Sequence, residues 1–201
     1  LKQQVASAFH GDMGLTSSLF TENNCPTPQQ DCFDAPSGGE LEVTDTQLDR
    51  VTFYQATLAV PNRRNFQEES VLKGRKLFNE MNCISCHATN QKTGSSKFTP
   101  LLDDTRIRPY SDFLLHDMGE ALADNRSDFL ATGQEWRTQP LWGIGLIDAV
   151  NNHTFLLHDG RARNIEEAIL WHGGEADNSK LSFKNLSAED RQNVLDFINS
   201  L

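Results

Sequence analysis

The chain has 201 residues, 37% of them hydrophobic, with 28 acidic against 18 basic side chains and a mean hydropathy of −0.52. That length suffices for one substantial domain, or one domain and part of another. The net charge of −10 excludes a phosphate-binding nucleic-acid surface, which needs a basic excess, and no apolar run approaches the length of a membrane span.

The opening Leu1-Lys2-Gln3-Gln4-Val5-Ala6-Ser7-Ala8-Phe9 has neither an initiating Met nor a signal peptide, so a preceding segment is expected. The first forty residues read as loop, punctuated by Asn23-Asn24-Cys25-Pro26-Thr27-Pro28 and Pro36-Ser37-Gly38-Gly39. Cys25 and Cys32 lie inside this stretch. A local disulfide would staple a segment too poor in apolar residues to hold itself.

Thr44 and Gln47 have capping-box spacing and predict a helix whose inner face is Leu48, Val51, Tyr54 (or Gln55) and Leu58, ending before Pro61. A second helix is expected over about 68–81, with Val71, Leu72, Leu77 and Phe78 inward and Gly74 allowing close helix contact. It delivers the chain into Cys83-Ile84-Ser85-Cys86-His87.

That CxxCH is the attachment signature of a c-type haem. Two thiols three residues apart can each form a thioether with one vinyl group of the same porphyrin, and the adjacent histidine becomes the proximal ligand. With 4 Cys and 6 His in the chain, chance predicts roughly 0.002 such motifs. A buried porphyrin would also supply core that the somewhat low apolar content lacks. The net charge then serves solubility or a docking face for a basic redox partner. Covalent haem and a disulfide both belong to an oxidising compartment, so a periplasmic or exported location is expected.

Beyond the motif, residues 88–109 look irregular. Residues 110–122 predict a helix capped by Ser111, and 132–160 read as mixed, with Pro140, Gly143 and Gly145. Asn164 opens a short helix through His172, stopped by Gly173-Gly174. Ser187, with Asp190 at capping-box spacing, opens a last helix striped by Val194, Leu195, Ile198 and Leu201. The chain is therefore expected to be mostly α. A helix leading into CxxCH and another closing the C-terminus is the layout of a cytochrome c-like haem domain. Residues 66–201 would form it, and 1–65 an irregular N-terminal extension.

His87 is the proximal iron ligand on this reading. Candidates for the opposite face are His10, Met13, Met81, His116, Met118, His153, His158 and His172. Met81 is too close to the attachment site, and His10 and Met13 lie in the extension. His116 and Met118, two residues apart on the expected helix, point in different directions. His158, in Leu156-Leu157-His158-Asp159-Gly160-Arg161, and His172, before two glycines, carry more weight.

Several stretches sharpen the choice: Ala8-Phe9-His10-Gly11-Asp12-Met13-Gly14, Tyr110-Ser111-Asp112-Phe113-Leu114-Leu115-His116-Asp117-Met118-Gly119, Glu135-Trp136-Arg137-Thr138-Gln139-Pro140-Leu141-Trp142-Gly143, and Leu157-His158-Asp159-Gly160-Arg161-Ala162-Arg163 running into Glu166-Glu167-Ala168-Ile169-Leu170-Trp171-His172-Gly173. Together they resemble the di-haem cytochrome c peroxidase superfamily, and within it the di-haem oxidoreductases, over essentially the whole chain. Such proteins are similar to two fused cytochrome c domains with one CxxCH each. This chain has one, so the resemblance implies the C-terminal haem domain, partnered by an N-terminal haem domain or a redox protein.

In that superfamily peroxide chemistry belongs to the more open N-terminal haem, and the C-terminal haem is six-coordinate and relays electrons. Its distal ligand comes from the helix after the His-Asp-Gly-like motif, as Met or Tyr in other members. His172 stands at that position, so the resemblance implies ligation by His87 and His172. His158 becomes a residue near a propionate or the porphyrin edge. Arg137, Arg161 and Arg163 become candidates for propionate pairing, and calcium at a domain interface is a further family feature.

Two other functions compete. One is a self-contained peroxidase with an open iron and Glu135 or His158 as acid–base partner. The other is a structural zinc site of Cys25, Cys32, Cys83 and Cys86, against which the wide Cys25–Cys32 gap argues.

Overall fold

Helices form where the sequence supplies caps and an apolar stripe. The computed structural model, which describes residues 1–201, is mostly α with a few short strands. It divides into two compact units: residues 1–59 with 96–100, and residues 60–95 with 101–201.

The first unit contains α1 (Lys2–Met13), the single turn α2 (Gln30–Phe33) and α3 (Asp45–Thr57). The loop expected over the first forty residues is therefore wrong for 2–13. Val5 and Ala6 of α1 are buried with Val43 and with Leu48 of α3, and Phe9, Leu15, Phe20 and Val51 pack around them. A helix with so weak an apolar stripe is held by tertiary burial, which local sequence does not disclose. Gly14, at φ +71°, ends it in the left-handed conformation. Cys25 and Cys32 are joined by a disulfide.

α3 starts where its capping box predicts: the Thr44 side chain accepts from the Gln47 amide, and the Gln47 side chain accepts from the Thr44 amide. Its buried residues are Leu48 and Thr52, whereas Tyr54 and Leu58 are exposed. The inner stripe is thus narrower than expected. Thr44→Ala should cost about 1 kcal/mol, read as a lower unfolding midpoint in urea.

The second unit contains α4 (Glu69–Glu80), α5 (Ile147–Asn151), α6 (Ile165–Trp171), α7 (Asp177–Lys184) and α8 (Ala188–Ser200). Two antiparallel ribbons accompany them. β1 (Gln91–Lys92) pairs with β2 (Arg106–Ile107), and β3 (Leu115–Asp117) pairs with β4 (Glu135–Arg137), His116 standing opposite Trp136.

The core is built on α4 against α8. Val71 and Phe78 of α4 are buried with Val194, Phe197 and Ile198 of α8, together with Met81, Tyr110, Phe183 and Leu201. Phe183 and Phe197 are fully buried, each contributing about 2–3 kcal/mol of apolar transfer. Gly74 sits at the helix contact, where a Cβ would lie 1.8 Å from the Asn193 carbonyl oxygen. Leu72, expected inward, is exposed. Ser187 caps α8 by accepting from the Asp190 amide. No helix is long and apolar enough to cross a membrane.

The helix expected over residues 110–122 is absent. Tyr110 and Phe113 have φ of +53° and +62°, which no α-helix accommodates. The Ser111 hydroxyl donates to the Thr138 carbonyl and accepts from the Phe113 amide, while Asp112 accepts from the Leu114 amide. These local bonds compete with helix formation, and β4 supplies a strand partner that sequence spacing alone does not reveal. His116 and Met118 are consequently not on one helix.

Candidate functional site

The CxxCH occupies a sharp turn at the end of α4. Asn82 adopts the left-handed conformation at φ +62° and opens a 3-10 turn over Cys83–Ser85. The His87 amide donates to the Cys83 carbonyl across that turn, at 2.9 Å. Cys83 and Cys86 are both unbonded and half-buried. Burial pushes the Cys83 thiol up to about 12 and raises Cys86 as well. Neutral thiols of this kind are poor thiolate nucleophiles. The four-cysteine zinc reading fails on this geometry, because Cys25 and Cys32 are bonded to each other and a zinc ligand must be a free thiolate.

His87 faces inward with Nδ1 2.9 Å from the Tyr110 carbonyl oxygen. The left-handed backbone at Tyr110 sets the direction of that segment. Burial pushes the His87 imidazole down to about 4, so it is neutral at physiological pH. α6 brings a second imidazole to face it. Asn164 caps α6 by accepting from the Glu167 amide at 2.8 Å. At the other end, His172 Nδ1 lies 2.7 Å from the Ala168 carbonyl oxygen, and burial lowers its pKa too. The His87 and His172 ring centroids are 6.4 Å apart with the planes 47° from parallel.

This spacing bears on a metal between the rings. A carbonyl only accepts, so Nδ1 of each neutral ring carries the proton and Nε2 keeps its lone pair. Two metal–nitrogen bonds of about 2 Å, with roughly 1 Å from each nitrogen to its ring centre, sum to about 6 Å. The centroid separation would therefore admit one metal ion held by both imidazoles, and the free thiols of Cys83 and Cys86 lie just before His87 in sequence. The residues present fit a covalently attached haem.

Other expected residues are engaged elsewhere. His116 Nε2 is 2.8 Å from Asp112 Oδ2 and its Nδ1 is 2.9 Å from Glu175 Oε2, so neither nitrogen is free for a metal. Met118 follows on the same strand–turn segment, its amide donating to the Gln134 carbonyl. His158 is stacked on Trp136, with centroids 3.7 Å apart and planes within 14°. The Glu135 carboxylate accepts from the Thr132 amide at 2.7 Å.

Arg161 pairs with Asp159 and lies 5.0 Å over the Trp171 ring, and Arg163 pairs with Glu167. Arg137 is exposed on β4. His10 bonds the Glu22 carbonyl and stacks on Phe20, Met13 and His153 are exposed, and Met81 is buried in the core. Sequence reasoning missed Asp112, Glu175 and the carbonyls of Tyr110 and Ala168. Carbonyl acceptors carry no side-chain signature, and Glu175 lies beyond the glycine pair, outside any motif.

Among known families, the one described as “Di-haem oxidoreductase, putative peroxidase” matches residues 1–201. No curated protein and no solved structure matches the chain.

Proposed function

Because the chain belongs to the family of di-haem oxidoreductases, we propose that residues 66–201 are its cytochrome c-like C-terminal haem domain, which relays electrons to or from a second haem. The observation that carries this reading is the pair of facing neutral imidazoles, His87 and His172, 6.4 Å apart. Cys83 and Cys86 would hold the porphyrin through two thioethers. His87 and His172 would hold the iron. The bound iron supplies one-electron redox chemistry between its two oxidation states.

The protein's own residues prepare that site. The Tyr110 and Ala168 carbonyls fix the tautomer and rotation of the two rings and raise their basicity as ligands. Burial disfavours the protonated form of both imidazoles, which leaves their lone pairs open to a metal. If both imidazoles held the iron, little room would remain for peroxide there, which favours electron transfer over peroxide cleavage on this chain. The other haem would belong to an N-terminal domain or a partner protein, where the substrate reacts. Calcium would belong to an interface with the second haem domain; the clustered Cys86, Asp112 and His116 offer one sulfur, one oxygen and one nitrogen, not the oxygen set calcium takes. Covalent haem chemistry favours a periplasmic or exported location.

The test is a visible spectrum of the protein made with the c-haem maturation machinery. One covalent haem with a low-spin spectrum and no weak sulfur–iron band near 700 nm is the expected result. Cys83→Ala with Cys86→Ala should abolish covalent haem. A high-spin spectrum that shifts on adding peroxide would replace this reading with a catalytic one.

A further inference from the structure

The two imidazoles face each other across the chain from segments 85 residues apart, and one short stretch, residues 110–119, touches both of those segments. At one end it holds the His87 side. The Tyr110 carbonyl accepts from His87, the Ser111 amide donates to the Ala88 carbonyl, and the Asp112 amide donates to the Cys86 carbonyl at 2.8 Å. At the other end it holds the His172 side. A Cβ on Gly173 would lie 2.7 Å from the Met118 carbonyl oxygen, and one on Gly174 2.2 Å from that of Asp117. Gly174 also has φ +52°, a conformation that glycine takes without cost. Backbone thus lies directly on backbone just after His172.

His116 spans the same gap with side chains. One ring nitrogen meets Asp112, whose amide is bonded to Cys86, and the other meets Glu175, three residues past His172. Glu175 uses its second oxygen to accept from the Asp117 amide at 3.0 Å. Both carboxylates can only accept, so both ring nitrogens must donate and His116 is the imidazolium. Cys86 Sγ, an Asp112 oxygen and a His116 nitrogen lie within 4.8 Å of one another, which sets this charged bridge beside the attachment turn.

Building on the bis-imidazole reading above, we propose that His116, bridging Asp112 and Glu175, is a positioning residue that holds the His172 loop at its distance from His87. Its two ring nitrogens bond Asp112 and Glu175 rather than His87 or His172. It acts by tying the loop that follows His172 to the strand anchored on the CxxCH. Loss of the bridge would let the His172 loop move outward, so that His172 would hold an iron there less persistently.

Two variants test this, His116→Gln and the more exposed Glu175→Ala, with Asp177→Asn as a surface control on the same stretch. Amide hydrogen exchange reads the loop whether or not His172 binds iron. Both variants should speed exchange at Asp117 and Ala176 by roughly tenfold, the loss of one charged hydrogen bond, while α4 and α8 keep their protection and Asp177→Asn changes nothing. Cyanide binding to the oxidised haem protein should speed up by a similar factor. Exchange and cyanide binding within twofold of the wild type in folded variants would overturn the bridge. Faster exchange with unchanged cyanide binding would overturn its role in ligation. A wild-type iron that is already high-spin, or that keeps its spectrum in His172→Ala, would instead remove the bis-imidazole reading, and exchange at Asp117 and Ala176 would still decide whether His116 holds the loop.

Discussion

Replacing His172 by alanine is expected to convert the oxidised iron from low spin to high spin and open it to cyanide and peroxide. The argument is geometric. His172 and His87 are neutral rings whose Nδ1 atoms are occupied by carbonyls, and their separation of 6.4 Å matches one metal ion between two imidazole nitrogens. On the proposed ligation, truncation would remove one of the two imidazole donors and leave the CxxCH turn untouched, since Cys83, Cys86 and His87 are carried by α4 and the turn behind it. The Soret maximum should shift to shorter wavelength, a high-spin charge-transfer band should appear, and far-UV circular dichroism should be unchanged. Added imidazole should restore the low-spin spectrum by occupying the vacated position. A variant that stays low-spin without imidazole would transfer the distal role to another side chain.

Gly74→Ala should be the most damaging small substitution for folding. A methyl group there would meet the Asn193 carbonyl oxygen at 1.8 Å, the carbonyl carbon at 2.5 Å and the Phe197 Cβ at 2.8 Å. Two of these are backbone atoms of α8, which cannot rotate aside, so the helices must separate. Separation loosens Phe78, Val194 and Phe197, all buried at the same contact. Overpacking of this kind costs about 3 kcal/mol, which for a domain of this size lowers the melting temperature by roughly 6–12 °C. Helix propensity runs the other way, because alanine favours a helix interior by about 1 kcal/mol over glycine. A net loss of stability therefore isolates the packing effect. Unchanged thermal unfolding would mean that α4 and α8 do not approach this closely.

Signals confined to a few neighbouring residues are legible in the chain alone. The CxxCH needs only five consecutive residues. Thr44 with Gln47, and Ser187 with Asp190, announce helix starts because a capping bond spans three residues. Asn164 and the glycine pair bound the helix ending in His172 for the same reason. Gly74 is conspicuous because glycine inside an amphipathic helix needs a packing reason, and α8 provides it. Mostly α character follows from these signals together.

What local signals cannot carry is burial and pairing between distant residues. α1 has a faint apolar stripe and exists because Val5 and Ala6 are covered by Val43 and Leu48. Residues 110–122 carry enough leucine to resemble a helix, but the partner strand Glu135–Arg137 and the left-handed Tyr110 and Phe113 prevent one. Residue type makes His116 a candidate iron ligand, yet the fold delivers Asp112 to one nitrogen and Glu175 to the other.

Residue identities at short or fixed spacing disclose the CxxCH turn, the caps, the close helix contact at Gly74 and the family. Tertiary structure alone brings the Tyr110 carbonyl to the His87 ring and the Glu175 carboxylate to His116. Those are distances between segments far apart in the chain, and they are set by backbone conformation and packing that no single residue encodes.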